Sequence, residues 1–203
     1  MAPGALDLAK AEGRKPTWEM ALLYPDQGRW TSREFLELDA GRHVELSEGK
    51  LEFLLLPDEK HQAIVLLLVN ALRAFAAGRG GKALMAPLPV KLWNEKYREP
   101  DVAYMRPEHL ARCLGKYWDG ADLVMEVVSE TNREHDTETK REEYLKTGIP
   151  EYWLVEPAAG SITVLRLEAQ DYQIHGVYAR GQTATSVLLP GFSLDVGPVL
   201  DAE

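Results

Sequence analysis

The sequence predicts an α/β sandwich, with helices packed on a mixed β-sheet. Short β-branched or alternating runs indicate strands, and apolar residues at helical spacing indicate a long helix over 61–76. A polar helical segment over 136–148 separates the apolar runs at 123–128 and 151–155. Because a helix is the usual crossover between parallel strands, these two runs are predicted to be parallel neighbours.

The first two elements are predicted to be a short helix and a β-hairpin. Thr31 and Glu34 have the spacing of a capping box, so a helix should run from there to about Ala40. The segment 43–53 alternates apolar and polar residues around a central Glu-Gly pair, which is typical of a hairpin.

The long helix over 61–76 is apolar on more than one side. We expect it to be buried on most sides or to contribute to a homodimer contact, and the glycines between 78 and 81 should end it. Strands are predicted over 83–93 and 101–105, followed by a loop with one helical turn over 106–120.

The C-terminal half begins with the crossover helix. It is predicted to run from Asp136 to Gly148, with Pro150 beyond it as a stop signal. After the strand at 151–155, the stretch 161–197 alternates as antiparallel strands do, with turns at Gly181 and at Pro190-Gly191.

Composition predicts one globular domain. The 203 residues, 45% hydrophobic and 27% charged, fit a single domain over 21–203 behind a polar, flexible leader over 1–20. No apolar stretch reaches the roughly 18 residues that a membrane span requires. A single cysteine, Cys113, allows no disulfide within the chain. These features predict a cytoplasmic protein.

The charge is acidic overall but uneven along the chain. A net charge of −9 disfavours general nucleic-acid binding. The stretch 73–98 nevertheless holds six basic side chains against one acid, with Trp93 and Tyr97 among them. The part over 82–98 is predicted to guide a phosphate backbone or, alternatively, to be an ordinary solvated hairpin. Its basic residues are Lys82, Lys91, Lys96 and Arg98.

One acidic residue, Glu126, interrupts the apolar run at 123–128. A run this short and β-branched indicates a strand that is buried on both faces. Since burying an unpaired carboxylate costs several kcal/mol, we expect Glu126 to be paired, protonated or bound to a metal. Asp101 heads another short apolar run. One acid on each of two neighbouring strands is the arrangement that a hard divalent cation needs.

The crossover helix carries Asp136, Lys140 and Tyr144 at intervals of four residues, so they share one face. If this face turns toward Glu126, it places an ammonium beside the acids. Two carboxylates and an ammonium suit phosphodiester hydrolysis with Mg²⁺ or Mn²⁺, in which the lysine orients the attacking water. We find no His/Cys spacing for zinc, no Walker loop and no supportable Ser-His-Asp arrangement.

Several motifs occur in an order that is typical of one family. They are Glu45-Leu46-Ser47-Glu48-Gly49, His61, Pro100-Asp101, Glu126-Val127-Val128-Ser129, Asp136…Lys140…Tyr144…Gly148, Glu151-Tyr152-Trp153-Leu154-Val155 and Pro190-Gly191. In this order they resemble the Uma2 (formerly DUF820) family of restriction-endonuclease-like proteins, over about residues 30–198. The resemblance implies the PD-(D/E)XK nuclease fold, a mixed sheet flanked by helices with additional antiparallel strands at the C-terminus.

The resemblance also implies roles for individual residues. Asp101 and Glu126 would bind the metal, and Glu45 would be a third acidic residue near the site. In the broader nuclease pattern the lysine falls two residues after the glutamate, where this chain has Val128. Lys140 resembles a substitute that the helix supplies.

Each candidate residue also has a structural interpretation. Glu126 and Lys140 would pair with each other without any metal, and Asp101 would cap a turn. Lys140 and Glu45 would face solvent. His61 is a structural histidine or a neighbour of the site, and Tyr144 is a further candidate neighbour of the site.

The sequence therefore predicts a Mg²⁺- or Mn²⁺-dependent endonuclease that hydrolyses nucleic acid, with DNA favoured as the substrate. It also predicts a homodimer, whose two sites would address two DNA strands, and no membrane association. The alternative is a catalytically inactive nuclease-fold module that binds DNA or another protein, which the negative net charge favours.

Overall fold

A computed structural model describes residues 24–38, 43–129 and 133–203. The predicted leader and the predicted helix end at Ala40 lie outside these ranges. The described residues form four α-helices, one 3₁₀ segment and one π-helical segment. They are α1 (Ser32–Glu37), α2 (Glu59–Ala76), the 3₁₀ segment Pro107–Arg112, the π segment His135–Lys140, α3 (Arg141–Thr147) and α4 (Val196–Leu200).

The strands of the described residues form three sheets. The main sheet has six strands in the order β11-β10-β9-β8-β6-β3, the second has five in the order β2-β1-β5-β4-β7, and β12 pairs with β13. The strands are β1 (Val44–Ser47), β2 (Lys50–Phe53), β3 (Lys82–Met85), β4 (Val90–Trp93), β5 (Lys96–Arg98), β6 (Val102–Met105), β7 (Trp118–Asp119), β8 (Leu123–Val127), β9 (Glu151–Glu156), β10 (Ser161–Glu168), β11 (Asp171–Ala179), β12 (Thr183–Thr185) and β13 (Ser193–Asp195).

The main sheet is mixed, as predicted. Strands β8 and β9 are parallel and are joined through the π segment and α3, which confirms the predicted crossover. Strand β6 is antiparallel to β8 on its other side, with Val102 opposite Met125. Continuing this register by one residue brings Asp101 opposite Glu126, so the sheet itself sets the two acids side by side.

Helix α2 covers one face of the main sheet. Asp58 caps its first turn by accepting a hydrogen bond from the backbone N–H of His61 at 2.8 Å. Ile64, Leu68 and Leu72 are fully buried in the same core as residues of β6, β8 and β9. Each such side chain stabilises the fold by about 1.5–3 kcal/mol. The helix begins two residues earlier than predicted, and Leu66 on its outer side is half exposed.

Helix α3 belongs to the opposite face of the main sheet. There Val124 and Val128 of the β8 segment pack in one core with Tyr144 of α3 and Tyr152 of β9. Because side chains alternate along a strand, Glu126 points to the same face as these two valines. The two faces of β8 therefore separate the carboxylate from the larger core under α2.

The predicted strand over 83–93 is wrong as a single element. It is divided into β3, which pairs with β6 in the main sheet, and β4, which pairs with β5 and β7 in the second sheet. Pro87 and Pro89 lie between the two strands. Since proline cannot donate a ladder hydrogen bond, the chain leaves one sheet there and enters another.

The predicted hairpin is confirmed and forms an edge of the second sheet. Its turn needs left-handed backbone at Glu48 and Gly49, with φ of 49° and 77°. A Cβ on Gly49 would lie 2.8 Å from backbone atoms of Gly28, so this position also requires glycine for space. Helix α1, with the predicted capping box at Thr31, packs Phe35 against this sheet.

None of the helices in the described part of the chain combines the length and apolar character that crossing a bilayer requires.

Candidate active site

The residues that the sequence singled out converge where β6, β8, α2 and the π segment meet. The Nζ of Lys140 lies 2.9 Å from Oε2 of Glu126. The backbone N–H of Asp101 approaches the same oxygen at 3.4 Å, and the Tyr144 hydroxyl donates to Oε1 of Glu126 at 2.6 Å. Glu126 on β8 therefore contacts Asp101 directly before β6, Lys140 of the π segment and Tyr144 of α3.

Asp101 is held by the sheet and by α2. The backbone N–H of Val127 donates to its Oδ2 at 2.7 Å, and Nε2 of His61 lies 3.1 Å from the same oxygen. The side chains of Asp101 and His61 are each 19% exposed, whereas that of Glu126 is 2% exposed. The centre therefore opens to solvent on the side of Asp101.

The π segment adds an acid that the sequence analysis placed on the same face without assigning it a role. Asp136 is buried, and its Oδ1 lies 3.2 Å from the Lys140 ammonium. Tyr152 donates from its hydroxyl to the backbone carbonyl of Asp136 at 2.8 Å, which fixes the segment to β9. Short π-helical segments are frequent at functional sites. Together, Asp101, Glu126, Asp136, His61 and Lys140 form what we call the open centre.

Acidic groups outnumber basic groups in the open centre, which holds three carboxyl groups beside the Lys140 ammonium and the His61 imidazole. Burial raises the pKa of Glu126 to about 8, and the neighbouring Asp101 carboxylate adds to this against the opposing effect of Lys140. Burial also raises the pKa of Asp136. For Lys140, burial favours the neutral form, but the surrounding carboxylates outweigh it and raise its pKa. The lysine is therefore charged, and it does not neutralise all three acids.

A second group of charged side chains lies beside the open centre, and we call it the Arg98 cluster. The Arg98 guanidinium donates from Nη1 to Glu45 at 2.6 Å and also to Glu52. Its Nε and Nη2 donate to the two oxygens of Glu143 at 2.6 and 2.9 Å. The Lys96 ammonium lies 2.5 Å from Glu143. The cluster ties the hairpin to α3.

Within the Arg98 cluster, Glu45 interacts electrostatically with Lys140 of the open centre. Burial opposes its ionisation, but the Lys140 ammonium and the His135 imidazole lower its pKa to about 2. Arg98 and the backbone N–H of Glu99, which donates to Glu45 at 2.8 Å, act in the same direction. Glu45 is therefore ionised and fully paired.

Three structural interpretations from the sequence are wrong. Lys140 and Glu45 do not face solvent, because both are at least 95% buried. Lys96 and Arg98 do not belong to an exposed basic strip, since both are buried in the ion pairs of the Arg98 cluster. Strand alternation places both side chains on the face toward α3. The sequence did not show that their acidic partners, Glu45 and Glu143, lie on that side.

The other two basic candidates remain accessible. Lys82 is exposed on β3, an edge strand of the main sheet, and Lys91 is partly exposed on β4.

The convergence of Glu126 with Lys140 agrees both with a metal site and with a simple ion pair, because both interpretations required this contact.

Sequence reasoning missed Asp136, Glu52, Glu143 and His135 as members of these groups. Asp136 and Lys140 are four residues apart, so their helical spacing carried a signal. The pairing of Glu52 with Glu45 across the hairpin carried another. The contacts of His135 depend on the tertiary fold, and no spacing in the sequence indicates them.

Two sets of donors in the described residues are candidates for binding a metal. Asp101 and Glu126 offer two carboxylates from adjacent strands at an opening to solvent, which suits an ion that keeps several waters. Glu45, Glu52 and His135 have donor atoms within 4.8 Å of one another, the one group of three or more such residues found among the described residues. In that second set, Glu45 and Glu52 already accept hydrogen bonds from Arg98.

The comparisons with known proteins agree with this architecture. No curated protein matches the chain. A crystal structure described as "a putative nuclease belonging to DUF820", from Anabaena variabilis ATCC 29413, is similar with a TM-score of 0.68 and 20% sequence identity, over 84% of this chain and 97% of that one. At this identity the likeness shows the fold, which is that of a nuclease-like α+β domain. The model of the Uma2 family, described as "Putative restriction endonuclease", matches residues 32–197, and the chain belongs to this family.

Proposed function

We propose that the protein is a divalent-metal-dependent endonuclease whose reaction takes place at the open centre. One observation carries the proposal: two acids lie opposite each other on adjacent strands, beside a single ammonium, at an opening to solvent. A buried excess of negative charge is costly unless a cation or protons compensate it. The membership in the Uma2 family supports the same activity.

The donor set fits Mg²⁺ or Mn²⁺. These ions take oxygen ligands, and one or two carboxylates with several waters are sufficient for Mg²⁺. Asp101 and Glu126 would hold the ion. Bound there, the metal would activate a water and neutralise charge on the scissile phosphate.

The remaining residues orient this centre. Lys140 stands beside Glu126, where its ammonium would orient the attacking water or stabilise developing negative charge. Tyr144 fixes the other oxygen of Glu126, and His61 fixes Asp101. Glu45 acts at a distance, through its electrostatic interaction with Lys140.

The proposed substrate is nucleic acid, with DNA favoured. Lys82 and Lys91 remain candidates for phosphate contacts, which position a backbone without reading its sequence. A homodimer through the outer side of α2 would address both strands of a duplex, and it stays a prediction together with the cytoplasmic location.

The test is a panel of single-stranded, double-stranded and branched DNA and RNA, incubated with Mg²⁺ or Mn²⁺. We expect cleavage of at least one substrate by the wild-type protein and none by Asp101→Ala. Thermal unfolding with millimolar Mn²⁺ gives a second readout, because a ligand of the native state raises the midpoint.

The two readouts separate the alternatives. A Mn²⁺ shift that Asp101→Ala lacks, together with cleavage, supports the proposal. Nucleic-acid binding without cleavage and without a Mn²⁺ shift would contradict it and would favour the inactive binding module.

A further inference from the structure

We infer that each centre takes a single divalent cation, because the guanidinium of Arg98 occupies the position that a second cation would need. The inference rests on the proposed function and specifies it: hydrolysis would proceed with one metal ion and Lys140, without the second ion of a two-metal site.

Three residues beside the open centre have the donor geometry of a cation site. Glu45, Glu52 and His135 present ligand atoms within 4.8 Å of one another, a spacing that would suit a cation. His135 lies 3.9 Å from Glu45 and directly precedes Asp136 of the open centre in the π segment, so this set lies next to the open centre. A neighbouring acidic site of this kind is where a second metal of a nuclease would be expected.

Two of these donors already pair with a cation. Nη1 of Arg98 donates to Oε2 of Glu45 and to Oε2 of Glu52, two of the three ligand residues. An arginine guanidinium stays protonated in proteins. A divalent ion between the same oxygens would meet this positive charge at close range, and the two cannot share the position.

Arg98 cannot move aside easily. Its side chain is 1% exposed, and Glu143 of α3 receives its other two donor atoms in a two-pronged pair. Its strand, β5, lies between β1 and β4 in the interior of the second sheet. Swinging the guanidinium out would leave the buried Glu45 without its partner.

The number of bound metal ions tests the inference directly. Mn²⁺ bound per chain is counted by the loss of the free-ion electron paramagnetic resonance signal, at ion concentrations up to 1 mM, about the weak end of protein cation affinities. We expect one Mn²⁺ in the wild type, two in Arg98→Met, and one in the charge-retaining control Arg98→Lys. The double variant Arg98→Met/Glu52→Gln should return to one.

Two further variants keep the test decisive if Arg98→Met does not fold, as judged by circular dichroism. Glu52→Gln and His135→Ala, each in the otherwise wild-type protein, should leave the count at one. Two ions in the wild type, with one lost in either variant, would overturn the inference. A folded Arg98→Met protein with no added ion would overturn it as well.

The same counts distinguish this inference from the proposed function. No Mn²⁺ in the wild type and one in Arg98→Met, lost again with Glu52→Gln, would support the role of Arg98 and contradict a metal at Asp101 and Glu126. One Mn²⁺ that Asp101→Ala removes, with no effect of Glu52→Gln, supports both.

Discussion

Two fully buried glutamates on neighbouring sheets have pKa values that are shifted in opposite directions. Burial and nearby acids raise the pKa of Glu126 to about 8, whereas nearby cations lower that of Glu45 to about 2 against the effect of burial. Both are fully buried, so burial alone does not set the difference. The difference lies in their neighbours: Glu126 has Lys140 but also Asp101 and Asp136 nearby, whereas Lys140, His135 and Arg98 all favour the ionised form of Glu45.

This contrast distinguishes a binding centre from a structural joint. The Arg98 cluster has its cation built in at a guanidinium that is 1% exposed, and it holds the hairpin and α3 together, while Glu52 at its edge is 40% exposed. The open centre has three acids beside the Lys140 ammonium and the His61 imidazole, and its Asp101 carboxylate is 19% exposed. A centre that is rich in carboxyl groups and has one accessible carboxylate can bind a cation from solvent.

The largest predicted effect follows from removing the ammonium of the open centre. In Lys140→Met, the free energy of unfolding without metal should fall by about 3 kcal/mol at pH 8, because the buried Glu126 and Asp136 lose the ammonium that pairs with both. Mn²⁺ should restore much of this loss. Urea unfolding with and without Mn²⁺ measures both quantities.

Lys146→Met is the matched control, on helix α3, which directly follows the π segment. Lys146 is exposed and lies 4.1 Å above the ring of Trp93, so its loss should cost less than about 1 kcal/mol. Equal losses in the two variants would show that the ammonium of Lys140 does not stabilise the acids.

A second effect is expected in the pH dependence of stability. The pKa of Glu126 is raised from 4.5 to about 8, so its contribution is complete below about pH 4.5 and is lost as the pH rises to about 8. The pKa of Glu45 is lowered to about 2, so its contribution is complete above about pH 4.5 and is lost as the pH falls to about 2. Each slope reaches at most about 1.4 kcal/mol per pH unit.

Two variants separate these windows in metal-free protein. Glu126→Gln should flatten the decline of stability between pH 5 and pH 8, and Glu45→Gln should flatten the decline below pH 4.5. If both variants change the same window, the two carboxyls do not differ in the way that their partners indicate.

Much of the fold followed from local patterns in the sequence. The crossover of β8 and β9, the hairpin and helix α2 were predicted because each depends on spacing within a short segment. The division of 83–93 between two sheets was not predicted, since alternation looks the same in either sheet. The two prolines were the available signal for that break.

The site was predictable in part for a similar reason. Asp101, Glu126 and Lys140 stood out because an acid in an apolar run and a shared helix face are local features. Lys96 and Arg98 were misplaced because basic residues on a strand look alike whether they meet solvent or buried acids. Their partner Glu143 is about 45 residues away in the chain, and only the tertiary structure joins them.

The central claim is that a divalent cation binds between Asp101 and Glu126. Diffraction from crystals soaked in Mn²⁺, recorded where manganese scatters anomalously, locates the ion directly. The account predicts one anomalous peak within bonding distance of a carboxylate oxygen of each of these residues. A peak only among Glu45, Glu52 and His135, or none at millimolar Mn²⁺, would contradict it.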